Sequence, residues 1–119
     1  MPARQSLIKP RAQAFQAQGG RCFYCHLPMW QGNPEQFAAR HGLTMNQVER
    51  LQCTGEHLVA HKEGGGGGRD NIVAACRFCN QARHRRQCDL SPDQFKTMVQ
   101  KRLARGAWHP LDLRRLLAA

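Results

Sequence analysis

Acidic residues are scarce in this chain of 119 residues. It has 8 Asp and Glu against 18 Lys and Arg, which leaves a formal net charge of +10 at pH 7. Such an excess of positive charge favours a polyanionic partner, because Lys and Arg gain affinity by releasing counterions from phosphates. We therefore expect the partner to be a nucleic acid, and DNA in particular. A well-solvated basic surface is the alternative.

Long apolar runs are also missing. No stretch reaches the length that crosses a bilayer, and the N-terminus lacks the apolar core of a signal peptide. We therefore expect a cytoplasmic protein with no membrane partner. In that reducing compartment the 6 cysteines should be thiols or metal ligands rather than disulfides.

The length fits one domain with a modest core, and small domains often need a metal to stabilise them. We divide residues 1–119 into an N-terminal arm (1–21), a core (22–90) and C-terminal helices (91–119). A helical insertion is expected at about 34–52. The expected fold class is α+β.

The α+β assignment depends on a predicted hairpin and the helix after it. Strands are expected at 54–59 and 72–75, joined through the glycine run 64–68. A helix should follow from Asn80 to about Gln87 and carry several arginines.

Helix signals flank this unit on both sides. In the arm, a short helix is expected from Pro10 to the glycines at 19 and 20. The arm should cover the core, although Arg4, Lys9 and Arg11 also offer contacts to a DNA backbone. After the core, Ser91 and Pro92 start a helix, and Pro110 starts a last short one. The apolar residues of these two helices are expected to form core, namely Phe95, Met98, Val99, Leu103, Leu111, Leu113, Leu116 and Leu117.

The insertion has two possible interpretations. Pro34 after Asn33 starts one helix, and Thr44 with Gln47 forms a capping box for a second. This spacing resembles a helix-turn-helix, which would lay its second helix in a DNA groove. The alternative is a helical hairpin whose apolar residues simply form core.

Two Cys-x-x-Cys pairs stand about fifty positions apart in the sequence: Cys22 with Cys25, and Cys76 with Cys79. Four thiolates make the closed tetrahedral site that is typical of structural zinc. The competing set combines the second pair with His84 and Cys88. We prefer the two-pair set, and we expect Cys53 and Cys88 to be bystander thiols.

A second group of residues has the chemistry that phosphodiester hydrolysis requires: a base, a cation site and cationic contacts to the phosphate. His57 suits the base, because its usual pKa is near neutrality. Glu56, Asn80 and His84 offer oxygen and nitrogen ligands for Mg²⁺ or Mn²⁺, and the nitrogen would tolerate Ni²⁺ or Zn²⁺. Asn71 is expected to orient His57 across the hairpin. Candidate phosphate contacts are Arg83, Arg85 and Arg86.

These motifs together resemble the HNH endonuclease family, in its four-cysteine zinc-containing branch. The resemblance covers roughly residues 22–86, and it implies a ββα-metal fold with one catalytic divalent metal between hairpin and helix. It makes His57 the general base and Asn71 the residue that holds the hairpin. It places Glu56, Asn80 and His84 at the metal. Glu56 stands where the family more often has Asp, and the usual proline soon after the base is absent.

The predicted function is therefore that of a hydrolase: a metal-dependent endonuclease that cleaves DNA phosphodiester bonds with water activated by His57. A non-catalytic, zinc-stabilised nucleic-acid-binding module is one alternative. A phage-type or restriction-type nuclease that depends on a partner is another. Because one centre cuts one strand at a time, cleavage of both strands would need a homodimer, a protein partner or two events.

Overall fold

The computed structural model describes residues 3–58, 71–85 and 90–118. The predicted glycine loop 64–68, Arg86 and Cys88 lie outside these residues. Within the described ranges, helices surround one antiparallel sheet of two strands, which confirms the α+β assignment. In chain order the elements are α1 (Ala3–Ala17), α2 (Pro34–His41), α3 (Met45–Arg50), β1 (Cys53–His57), β2 (Ile72–Cys76), α4 (Arg77–Arg85), α5 (Pro92–Ala104), α6 (Leu111–Arg114) and a 3₁₀ turn (Arg115–Ala118).

The predicted hairpin and its helix form the centre of the fold. β1 and β2 pair antiparallel, with Cys53 opposite Cys76 and His57 opposite Ile72. α4 follows β2 without a loop and begins at Arg77, three residues before the predicted start. The sequence therefore folds in the expected ββα order.

Helix α1 corrects the prediction for the arm. It begins at Ala3 rather than at Pro10, and Pro10 lies inside it. A proline inside a helix cannot donate to the carbonyl four residues earlier, which costs about 3 kcal/mol. The packing of α1 against both strands offsets that cost. The predicted end is confirmed, since Gly20 adopts a φ of 75° and lies so close to the Phe15 ring that a Cβ would meet it at 3.3 Å.

The insertion is a pair of short helices with the predicted caps. The Asn33 side chain accepts from Gln36 N, and Thr44 and Gln47 exchange the two hydrogen bonds of a capping box. Phe37, Val48 and Leu51 of the insertion are buried, whereas Met45 is 54% exposed. Both interpretations require these buried apolar residues, so the DNA-reading role stays a prediction.

The C-terminal helices complete the core. Ser91 and Gln94 form the predicted capping box of α5, which buries Phe95, Val99 and Leu103. The expectation that all four terminal leucines form core is half wrong. Leu113 and Leu116 are buried, whereas Leu111 and Leu117 are 75% and 41% exposed. The reason is that α6 gives way to a 3₁₀ turn, in which residues three apart share a face.

No helix among the described residues is both long enough and apolar enough to cross a membrane.

Candidate metal centre and nuclease site

Four cysteine sulfurs converge at one buried point. The Sγ atoms of Cys22, Cys25, Cys76 and Cys79 all lie within 4.8 Å of one another, and those of Cys25 and Cys76 are 3.9 Å apart. A zinc ion with Zn–S bonds of about 2.3 Å requires sulfurs roughly 3.8 Å apart. The donor set and its spacing therefore fit a closed, structural zinc site made from the two predicted pairs.

Local structure explains why the two pairs meet. Cys22 and Cys25 lie on a tight turn, in which His26 N donates to Cys22 O and Cys22 N donates to Leu27 O. Phe23 N in the same turn donates to Ala74 O, which fixes the turn against β2. The second pair lies where β2 becomes α4. Because the strand ends at Cys76 and the helix begins at Arg77, Cys76 and Cys79 both face the turn that carries Cys22 and Cys25.

Backbone and side-chain donors surround the sulfurs. Cys22 Sγ accepts from three backbone amides, those of Tyr24 at 3.4 Å, Cys25 at 3.5 Å and Cys76 at 3.3 Å. Cys79 Sγ accepts from the indole Nε1 of Trp108 at 3.3 Å. Donors of this kind stabilise thiolates and orient metal ligands.

The thiols are also polarised by one another. Burial acts to raise the pKa of Cys22, but hydrogen bonds from the other three thiols outweigh it and hold that pKa well below the usual value. Burial raises the pKa of Cys25 and Cys79. Binding of a divalent ion would therefore displace the protons of Cys25 and Cys79. The competing set is disfavoured, because His84 has another partner.

That partner is Glu56, a carboxylate only 2% exposed on β1. Its Oε1 lies 3.0 Å from His84 Nε2, and its Oε2 lies 3.4 Å from Arg83 Nη1. The Tyr24 hydroxyl donates to Oε2 at 3.2 Å. Burial and the Glu56 carboxylate raise the pKa of Tyr24 above its usual value, so the hydroxyl keeps the proton it donates. A buried carboxylate requires such partners.

His57 is the last residue of β1 and is half-buried. Because successive strand residues face opposite sides, His57 and Glu56 point away from each other along the regular strand, as expected. The chain bends at the next residue, Leu58, whose amide donates to Asn71 O at 2.8 Å. Asn71 thus closes the hairpin beside His57 through its backbone.

Asn80 lies one helical turn before His84 on α4. Its Nδ2 donates to Thr54 Oγ1 at 2.9 Å and to Gly55 O at 3.2 Å. The structure therefore brings Glu56 of β1 into contact with His84 of α4. Asn80, also on α4, contacts β1 at Thr54 and Gly55, just before Glu56. Of the predicted phosphate contacts, Arg83 pairs with Glu56 and Arg85 is exposed.

Sequence reasoning missed the supporting contacts of three residues, Tyr24, Arg50 and His109. Tyr24 joins the metal-binding turn to Glu56, 32 positions away. Arg50 lies 3.7 Å over the Phe78 ring and donates to His109 Nδ1 at 3.1 Å and to Trp108 O at 3.1 Å. This cluster seats the C-terminal segment against the second cysteine pair.

Comparison with known families gives one match. The model of the HNH endonuclease family matches residues 44–86, which contain α3, the hairpin, α4 and the second cysteine pair. No curated protein and no solved structure matches the chain. The chain therefore contains, at residues 44–86, a segment similar to the HNH endonuclease family, next to a four-cysteine cluster to which that segment contributes Cys76 and Cys79.

Proposed function

We propose that this protein is a metal-dependent endonuclease that hydrolyses DNA phosphodiester bonds. The observation that carries the proposal is the buried Glu56 carboxylate held 3.0 Å from His84, on the strand that ends in His57 and inside the segment that matches the family. A carboxylate, two imidazoles and nearby arginines are the groups this reaction uses.

His57 is assigned the role of general base. It is the half-buried last residue of β1, and in this role its imidazole would accept a proton from a water beside a bound phosphate. Taking a proton from that water as it attacks phosphorus contributes roughly 10² to 10⁴ in rate. Asn71 holds the hairpin closed next to the base, and we assign it the orientation of His57.

Glu56, Asn80 and His84 are assigned to a catalytic divalent cation, Mg²⁺ or Mn²⁺ first and Ni²⁺ or Zn²⁺ as substitutes. When bound, such an ion supplies positive charge against the charge that develops on the phosphate. Glu56 and His84 fit that role. Tyr24 and Arg83 contact the Oε2 atom of Glu56, which leaves its Oε1 atom next to His84 Nε2 as a pair of donors for the ion. A carboxylate oxygen next to an imidazole nitrogen is a donor pair that suits these ions.

Arg83, Arg85 and Arg86 are assigned to the phosphate backbone. Arg85 extends from the exposed end of α4. Arg83 neutralises Glu56, and a bound cation at that carboxylate would release its guanidinium toward the phosphate. The net charge of +10 supports the same substrate class.

Cleavage of supercoiled plasmid tests the proposal. Wild-type protein and His57→Ala are incubated with Mg²⁺, Mn²⁺ or Ni²⁺ and with no added divalent ion, and His41→Ala serves as the control histidine outside the site. We expect metal-dependent nicking by wild type and by His41→Ala, and its loss in His57→Ala with zinc content retained. Nicking that survives in His57→Ala would refute the assignment of the base.

A non-catalytic, zinc-stabilised nucleic-acid-binding module is the second candidate. Two observations favour it: the Arg83 guanidinium already compensates the Glu56 carboxylate, and the Asn80 amide is engaged with β1. Plasmid binding without nicking in any of the metals would select this candidate.

A further inference from the structure

A cleft of about 440 Å³, lined in part by polar side chains, lies between α1, the start of β1 and the beginning of α4. It is separate from the contact of Glu56 with His84. The side chains that define it are Arg11, Gln52, Thr54, Arg77, Asn80 and Gln81. Besides the two guanidinium groups, the amides of Gln52 and Gln81 line this concave surface. The Asn80 amide donates to Thr54 Oγ1, and the Thr54 hydroxyl donates to Ala75 O.

Arg11 is positioned by the glycine beneath it. A Cβ at Gly55 would lie 3.8 Å from the Arg11 Cβ, so the side chain of Arg11 runs directly over the backbone of β1. Its Nε is buried and has no hydrogen-bond partner within residues 3–58, 71–85 and 90–118. A buried donor of this kind is costly unless a ligand or water accepts from it.

The charge of the cleft is positive. No carboxylate belongs to its lining in the part of the chain that the structure describes. Of the two arginines, Arg77 pairs with Glu49 at 3.2 Å, and the Arg77 and Glu49 side chains are 40% and 62% exposed. An exposed pair of this kind contributes at most about 1 kcal/mol. Arg77 can therefore exchange that partner for a phosphate.

We propose that this cleft binds the phosphodiester backbone of a DNA strand, with Arg11 and Arg77 as its two cationic contacts. Guanidinium, amide and hydroxyl donors are the groups that contact phosphate and sugar in protein–DNA complexes, and such contacts fix register without reading sequence. α1 lies outside the segment that matches the family, so the N-terminal arm supplies half of the site.

The cleft also stands at a defined distance from the proposed base. Gly55 precedes His57 by two residues on the same face of β1, which is about 7 Å at 3.3 Å per residue. That distance is roughly two nucleotide rises, each about 3.4 Å, measured along the axis of a duplex. The cleft would hold the strand a fixed distance from the point of hydrolysis. This inference rests on the proposed function because it takes DNA as the partner. It does not require that the protein hydrolyse that DNA.

Salt-dependent DNA binding tests the site. Zinc-loaded protein carrying His57→Ala, which prevents cleavage, is titrated onto a short fluorescent DNA duplex without divalent ions at several NaCl concentrations. We expect Arg11→Gln and Arg77→Gln each to weaken binding several-fold on any duplex sequence. Each should also reduce the slope of log K against log salt by about 0.9, the value for one phosphate contact. Arg11→Lys keeps the charge and should retain most of the slope.

Two controls remove one positive charge outside the cleft. Arg40→Gln removes an exposed charge near the end of α2, and Lys101→Gln removes one on the exposed side of α5. Both should leave the slope within about 0.3 of the parent, because they change net charge but no local contact.

The outcomes separate the two proposals. A parent that binds DNA while Arg77→Gln leaves the slope unchanged would overturn the cleft alone. Equal losses in Arg40→Gln and Lys101→Gln would also overturn it, since the effect would then reflect net charge. A parent that binds no DNA would overturn both the cleft and the proposed function. The result for Arg77→Gln decides the test. The Arg77 side chain is 40% exposed and can be replaced without disturbing the fold, whereas Arg11→Gln could disturb the packing of α1.

Discussion

Tyr24→Phe removes one oxygen atom from the link between the metal-binding turn and Glu56. The ring should stay in place, because its centroid lies 5.1 Å from those of Phe23 and Phe95 in edge-to-face contacts that do not involve the hydroxyl. Glu56 keeps Arg83 and His84 as partners. The substitution therefore isolates the hydrogen bond to Glu56 Oε2.

The size of the effect follows from the geometry. A hydrogen bond to a charged group contributes about 1.5–3 kcal/mol. The Tyr24–Glu56 distance of 3.2 Å is long for an O–H···O bond, which favours the lower end. We expect Tyr24→Phe to lower the free energy of unfolding of the zinc-loaded protein by about 1.5 kcal/mol.

Urea unfolding of zinc-saturated protein measures this loss as a lower midpoint at constant slope. The same substitution in a Glu56→Gln background should cost about half as much, since bonds to charged acceptors are roughly twice as strong as neutral ones. Equal costs in the two backgrounds, or no cost in either, would refute the assigned bond. Zinc content must stay stoichiometric in every variant, so that loss of metal does not imitate loss of the bond.

Three further predictions concern the metal centre and the packing around it. Cys22→Ser should lose stoichiometric zinc on dialysis while Cys53→Ser retains it, and equal zinc in both would contradict the four-cysteine site. Trp108→Phe removes the donor to Cys79 Sγ and should weaken zinc binding about tenfold in a chelator competition, an effect that Trp30→Phe should not reproduce. Burial first, and the neighbouring Arg50 cation second, lower the pKa of His109 to about 4. The unfolded chain would take up that proton near pH 6.5, so stability should fall by about 3 kcal/mol between pH 6.5 and 4. His109→Asn should lack this component of the pH dependence, and identical pH profiles of unfolding would contradict it.

The parts of the fold that the sequence predicts are those that local chemistry dictates. The caps at Asn33, Thr44 and Ser91 are hydrogen bonds within three residues, so their pattern is readable directly. The cysteine pairs are equally local, and zinc geometry then requires the two pairs to meet. The family resemblance is confirmed over residues 44–86. The roles of Glu56, His57, Asn71, Asn80 and His84 in catalysis stay predictions.

The parts that sequence reasoning could not supply depend on partners far apart in the chain. Pro10 is a helix-start signal by propensity, yet packing against the sheet carries α1 seven residues further back. Tyr24 has no local reason to face Glu56, and Arg50 has none to face His109. Such contacts follow from the assembled fold.

The Gln18 side chain has a consequence for how the molecule behaves in solution. A sheet of two strands exposes an edge on each side, and an open edge invites pairing with another chain. At the middle of β2, Gln18 Oε1 accepts from Ala74 N at 2.9 Å and its Nε2 donates to Ala74 O at 2.8 Å. One amide thus reproduces the two hydrogen bonds of a missing third strand. Because the Gln18 amide occupies the hydrogen-bonding groups of Ala74, the strand of a second copy of the chain cannot pair with the centre of this edge. We therefore expect this edge not to drive self-association.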